Sequence, residues 1–286
     1  TPTDSSAASD VYKRQAKHMK KQIPVELVYQ LSALIIAAIL VHLIYMTVIR
    51  PNADAVLEQR AVQSAAGQTV DNQRSIYVVL EGYEQESCFI LFFWAFAIMG
   101  YKTRSTLHER KLHQRSLVNV SAGVNILPED VRSYTRPLQA LSERDQNALL
   151  PRALTAALNR FASTENVQDV AEAVKTVCET EYERLETELS IIRYIAWAIP
   201  SIGFIGTVRG IGDALGQVYQ AVEGDIAGVT ASLGVAFNST FIALLISILL
   251  MFLLHQLQLI QERLVLDTQH YCDQKLLRNL RTRNSP

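Results

Sequence analysis

The sequence carries no excess of charge of either sign. Its 27 Lys and Arg nearly balance 28 Asp and Glu, for a formal net charge of −1. Recognition of nucleic acid needs a strongly basic face, so that class of partner is excluded. Cysteine is scarce. Cys88, Cys178 and Cys272 are scattered, with no C-x-x-C and no histidine at metal-ligand spacing. An odd, dispersed set reads as small buried apolar residues rather than disulfides or ligands, and no metal or cofactor is expected. A nucleophile–base pair is also missing. Ser232, Ser239 and Ser247 have no His or Asp beside them within the spans, which argues against an enzyme.

What the chain has instead is apolar length. Hydrophobic residues make up 49% of it against 19% charged, and the mean hydropathy is +0.11. A helical span needs about 20 mostly apolar residues. Four segments qualify, which predicts transmembrane helices at 27–49, 81–101, 191–218 and 229–257. The first is closed by Arg50-Pro51; it is too long for a cleavable signal peptide and lacks an A-x-A site. The second has a short core, Cys88 to Tyr101. It reaches spanning length only by starting near Ile76 and tolerating Glu81, Glu84 and Glu86 at its outer end.

Orientation follows the bias of Lys and Arg toward the cytoplasm. Lys13, Arg14, Lys17, Lys20 and Lys21 precede the first span. Lys102, Arg104, Arg110, Lys111 and Arg115 follow the second, and Arg263, Lys275, Arg278, Arg281 and Arg283 follow the fourth. The stretch between the first two apolar cores, with the loop at 50–80, carries Asp54, Glu58, Asp71, Glu81 and Glu84 against Arg50, Arg60 and Arg74. The loop at 219–228 has Glu223 and Asp225 and no Lys or Arg. These loops are therefore read as periplasmic. Residues 1–26, 102–190 and 258–286 are read as cytoplasmic. Residues 1–15 are polar, match nothing downstream and read as an appended segment.

The cytoplasmic parts have helical spacing. After a candidate N-cap at Thr164, apolar residues from Val167 to Ile192 recur mostly at three- and four-residue steps. No Gly or Pro interrupts before Pro200, so one helix of roughly 70–80 Å should run into the third span and kink at Pro200. A shorter helix is expected near Asn147–Phe161. Leu127–Asp130 and Arg136-Pro137 read as turns or helix starts. The tail Gln258–Leu280 should continue the fourth span as an amphipathic helix.

The segment Ile199–Gly212 is both apolar and full of glycine. On the third span Pro200, Gly203, Thr207, Gly210 and Ala214 share one face, and Gly206 and Gly212 add further small positions. On the fourth span Ser232, Ala236, Ser239, Thr240, Ala243 and Ser247 do the same. Two readings fit. In lipid, small residues let helices approach closely. Alternatively the stripes form a narrow pore wall, with Thr207 and Thr240 as its polar points and Asn238 adding a hydrogen bond. The middles of the spans hold no Asp, Glu or Lys, whereas an ion-coupled carrier normally places an ionisable group at depth. A titrating carboxylate must then come from another subunit, or Asp213 must serve. His42 stands alone in the first span and reads as a packed or interfacial histidine. Arg209 and Asp213, four residues apart, can pair near the outer end of the third span.

The stretch G-F-I-G-T-V-R-G at 203–210, followed by A-F-N-S-T-F-I-A-L at 236–244, resembles the MotA/TolQ/ExbB proton channel family. The resemblance covers about sixty residues, 191 to about 250. It implies an all-α membrane protein with four transmembrane helices and long cytoplasmic helical extensions, placed in the bacterial inner membrane with both termini inside. It also implies that Thr207, Thr240, Ser239, Asn238, Gly203, Gly210, Ala236 and Ala243 line a pore. Pro200 matches the family's proline ahead of the glycines, with Gly206 and Gly212 as packing positions. Relatives resemble homopentamers whose pore holds single spans of two copies of a partner like ExbD, TolR or MotB, which supplies a proton-carrying Asp. The expected function is the pore-forming subunit of a proton-driven stator. The alternative is a non-conducting oligomeric scaffold.

Overall fold

The computed structural model describes residues 25–65, 75–113, 115, 117–118, 125–224 and 226–281. The expectations for residues 1–15, the basic cluster at 13–21, Asp71, Arg74, Asp225 and Arg283 lie outside these. The described residues are helical, apart from turns, connecting segments and one parallel bridge that joins Ile126 to Leu280. Three helical stretches are long and apolar enough to cross a membrane: Glu26–Arg60, Val167–Gly216 and Ala227–Asn279.

The first stretch comprises α1 (Val25–Ile44), a π turn (Tyr45–Ile49) and α2 (Arg50–Ala65). The sequence reading closed this helix at Arg50-Pro51; the structure carries it through. Pro51 has no N–H to donate, and the π turn just before it shifts the bonding register. After α3 (Ile76–Leu80), the predicted second span lies in α4 (Tyr83–His113), which starts only after a break at Glu81–Gly82. Its apolar run is confined between Glu84 and Glu86 at one end and Lys102 and Arg104 at the other. It therefore falls short of the three stretches above.

A 3₁₀ turn at Pro128–Asp130 leads into α5 (Val131–Gln139), α6 (Glu143–Gln146) and α7 (Leu149–Thr164). Pro137 lies inside α5 rather than at a helix start. Thr164 closes α7 instead of capping the next helix. Glu165 turns the chain with φ 51°, and the Asn166 side chain accepts from Gln168 N at 2.9 Å to start α8 (Val167–Glu188). One turn residue in helical conformation, Leu189, separates α8 from α9 (Ser190–Gly216), and the two run on as one helical stretch, as expected. Pro200 sits inside α9. Its missing N–H would leave the Ala196 carbonyl without a partner, and Ser247 Oγ of the neighbouring helix donates to that oxygen at 3.3 Å. α10 (Val218–Val222) then leads to α11 (Ala227–Lys275), a single helix of 49 residues that is about 74 Å long.

α9 and α11 form the most extensive helix pair; α4 packs on both, and α1 rests on α4. One core joins Cys88, Ala95 and Ile98 of α4, Ile192, Ile195 and Ile199 of α9, and Ala243, Ile246 and Leu250 of α11. Trp94 Nε1 donates to Gln30 O at 2.9 Å and Tyr29 Oη to Ala97 O at 3.1 Å, stitching α1 to α4. The opposite face of α1, with Ile35, Ile36, Ile39 and Leu40, is exposed. A second core joins Leu150, Leu154 and Phe161 of α7, Val170 and Val174 of α8, and Leu264 and Cys272 of α11. All three cysteines are free and buried.

Polar contacts join the two cores. Lys102 Nζ lies 2.6 Å from Glu26 Oε1 and 2.8 Å from Glu188 Oε2, where α1, α4 and α8 meet. Glu109 Oε2 accepts from Leu149 N at 3.0 Å and caps α7. His113 Nε2 lies 2.8 Å from Thr268 Oγ1 of α11. Burial holds the His113 imidazole below its usual 6.5, while the Glu109 carbonyl and the Asp267 carboxylate pull it up and Arg110 pulls it down. The fold thus favours the neutral ring. That contribution is present above pH 6.5 and is lost as pH falls through the lowered value. Acidification from about pH 7 to about pH 5 should therefore loosen the α4–α11 contact. Thermal unfolding of His113→Gln beside the parent protein at both pH values should show a weaker pH dependence in the variant.

Candidate functional site

The α9–α11 contact is built from the small residues. A Cβ on Gly203 would overlap the Ala243 Cβ. A Cβ on Gly206 would lie 2.6 Å from Ser239 Cβ, and one on Gly210 2.7 Å from Ala236 Cβ and 2.9 Å from Ser232 O. Gly203, Gly206, Gly210, Ala236, Ser239 and Ala243 are thus buried between two helices of one chain. Gly212, expected as a packing position, has nothing within 4 Å of where its Cβ would be. It falls outside the face that meets α11. Pro200 and Asn238 are half-buried.

Two hydroxyls sit at the half-buried edge of this contact. Thr207 Oγ1 and Thr240 Oγ1 bond each other. Thr207 Oγ1 also reaches Ala236 O at 3.1 Å and Gly203 O at 3.3 Å, and Thr240 Oγ1 reaches Gly203 O at 3.0 Å. The arrangement follows from the glycines, since only a close approach of the two backbones puts both hydroxyls on one carbonyl. Each hydroxyl brings one proton and two lone pairs. However the two protons are shared out, a lone pair remains for a water or for a donor brought by another chain.

Residues 145–270 match the MotA/TolQ/ExbB proton channel family. This segment is a domain of that family. The chain matches no curated protein and no solved structure. The family domain runs from α6 to near the end of α11 and contains both small-residue faces and the threonine pair, while α1 and α4 precede it. Among the described residues no group of three or more His, Cys, Asp or Glu is placed to hold a metal.

The end of the α9–α11 pair near Arg209 is charged and leans on α4. Arg209, which sequence spacing paired with Asp213, instead places Nη2 2.9 Å from Glu84 Oε2. Asp213 and Arg209 both line a cavity of about 470 Å³, together with Arg50, Asp54 and Glu81. His42 is not alone. Its Nδ1 lies 2.6 Å from Glu86 Oε1, and Arg50 Nη2 lies 2.5 Å from Glu86 Oε2. The sequence reading gave Glu84 and Glu86 no role. The signal was available, because three acids at the head of an apolar run need counter-charges, and Arg50 and Arg209 are the arginines predicted at that depth. Phe89 and Trp94 pack in the bundle and against α1.

A charge swap tests the new pairing. Arg209→Glu and Glu84→Arg should each lower the unfolding midpoint, and the double variant should recover most of the loss. Arg209→Glu with Asp213→Arg should not. Since the Arg209 side chain is 46% exposed, the effect of each single change should be modest, about 1 kcal/mol.

Proposed function

We propose that the chain is the pore-forming subunit of a stator or energy-transducing complex driven by the proton-motive force. It conducts protons together with a single-span partner that supplies an aspartate. The observation that carries this reading is the Thr207–Thr240 pair: two hydroxyls at the edge of an apolar helix pair, inside the segment that matches a proton channel family. A free lone pair on each hydroxyl offers a passing protonated carboxyl or water an acceptor in a region otherwise poor in them. The facing segments 199–210 and 232–247 of α9 and α11 contain no Asp or Glu, which supports a titrating group supplied by a second chain. In this reading the protein is a multi-pass homopentamer of the bacterial inner membrane. α4 supplies a fourth crossing, and the Lys102 end faces the cytoplasm. α9 and α11 lie innermost and α1 faces lipid.

The second reading is a non-conducting scaffold. It is favoured by the burial of Gly203, Gly210, Ala236 and Ala243 within one chain and by the backbone partners that both threonines already have. Thr207→Val and Thr240→Val separate the two. Each swap roughly keeps volume and removes a hydroxyl from a hydrogen-bonded pair. Proton flux into vesicles holding the complex with its partner should fall at least about tenfold while assembly is retained, a loss of about 1.4 kcal/mol in the barrier. Flux equal to the parent protein in both variants sinks the pore assignment.

A further inference from the structure

We propose that a groove between α4 and α11, at the boundary where their apolar runs end, is a binding site for an anionic phospholipid. The groove is distinct from the threonine pair, and it rests on the membrane reading above only in placing this boundary at the inner leaflet. It has a volume of about 740 Å³. Phe96, Met99 and Gly100 of α4 and Leu253 and Leu257 of α11 line its apolar part. Gly100 leaves that wall open, with nothing within 4 Å of where a Cβ would be. Along α4 from Phe96 to Lys111 the helix rises about 22 Å, so one wall passes from bilayer depth to the aqueous boundary.

The other part is basic. Arg104 and Lys111 of α4 and Arg144 of α6 line it. Among the described residues none of these three cations has a carboxylate within ion-pair distance, whereas Lys102 and Arg110, their neighbours on α4, each have one. Arg144 is carried there by a specific contact: His108 Nε2 lies 2.9 Å from Asp145 Oδ1, holding the short helix α6 against α4. That hydrogen bond from His108 is the main cause holding the Asp145 carboxyl below its usual value. Three unpaired cations facing one groove with an apolar floor call for an occupant with a negative head and hydrocarbon tails. A lipid phosphate at the cation level with acyl chains along Phe96 and Leu253 meets both demands. A free phosphate would leave the floor uncovered. Basic pockets between spanning helices on the cytoplasmic side bind anionic headgroups on the same grounds.

The test uses the full chain purified in detergent, with phosphatidylglycerol or phosphatidylcholine of the same acyl chains added, and bound lipid counted by native mass spectrometry. The parent protein should retain phosphatidylglycerol over phosphatidylcholine by about tenfold or more. The variant Arg104→Gln/Lys111→Gln/Arg144→Gln should lose that preference, and Lys175→Gln, on the remote face of α8, should keep it. The charge-preserving variant Arg104→Lys/Lys111→Arg/Arg144→Lys should keep it too, which guards against a fold lost in the neutral variant. Equal retention of the two lipids by the parent protein overturns the proposal. So does a preference that survives in the neutral variant, displacement of the lipid by soluble glycerol phosphate at equal concentration, or a neighbouring copy of the chain found filling the groove. None of these outcomes depends on proton conduction, so the proposed function can fail or hold independently.

Discussion

Gly203→Ala and Gly210→Ala are each expected to weaken the α9–α11 pair, although alanine is the better helix former. Two effects oppose each other. Replacing a helical glycine by alanine gains about 1 kcal/mol of helix propensity. Against it stands overpacking, which costs about 1–3 kcal/mol where a methyl is forced into a filled contact. At Gly203 the new methyl meets the Ala243 methyl, and at Gly210 it meets Ala236 Cβ and the Ser232 carbonyl, a backbone atom that cannot swing away. Moving the helices apart would also lengthen the bonds that cross between them, from Thr207 to Ala236 O and from Thr240 to Gly203 O. Overpacking should win at these two sites. Gly212→Ala meets open space, so propensity should win there, leaving stability equal or slightly raised. The unfolding midpoints of the three variants in detergent check this ordering. A destabilised Gly212→Ala beside an unchanged Gly203→Ala would contradict it.

The second large effect is expected at Lys102. Its side chain is 4% exposed and holds Glu26 and Glu188 together. Lys102→Met leaves the Glu26 carboxylate without its cation and Glu188 with Arg184 alone. Breaking a buried ion pair from one side costs about 3–5 kcal/mol. The low end applies here, because Glu26 and Glu188 keep 37% and 25% exposure and stay partly hydrated. Adding Glu26→Gln and Glu188→Gln to Lys102→Met should restore most of the loss, because the uncompensated charge is then gone. Lys102 fixes where α1 enters the bundle and where α8 hands over to α9 at Leu189. The single variant should therefore separate the two cores and expose the α8–α9 junction to hydrogen exchange. An unfolding midpoint within error of the parent protein would show that the triad is not structural.

Much of this fold is legible in the sequence. The apolar runs at 27–49, 191–218 and 229–257 mark the three long stretches because their composition alone decides them. The helical period around Leu150, Leu154, Val170 and Val174 marks one apolar face, and these residues form a buried core. Local breaks are less legible. Pro200 lies inside α9, where Ser247, distant in sequence, supplies the hydrogen bond that the Ala196 carbonyl would otherwise lack. Pro51 was expected to end the first helix, yet a π turn absorbs it. The small-residue faces were visible, but not whether they meet each other or line a cavity, since that depends on the partner each helix chooses. The charge pairs were the least visible. Sequence spacing offers Arg209 the nearby Asp213, whereas packing brings it Glu84, 125 residues away.

The central claim is that α9 and α11 surround an axis filled by a second chain. A cryo-electron microscopy cross-section of the complex purified with its partner tests it most directly. The account predicts a five-fold ring with α9 and α11 innermost, Thr207 and Thr240 at mid-height, and partner helices within the axis. A ring with α1 or α4 innermost, or a dimer without a central axis, would contradict it.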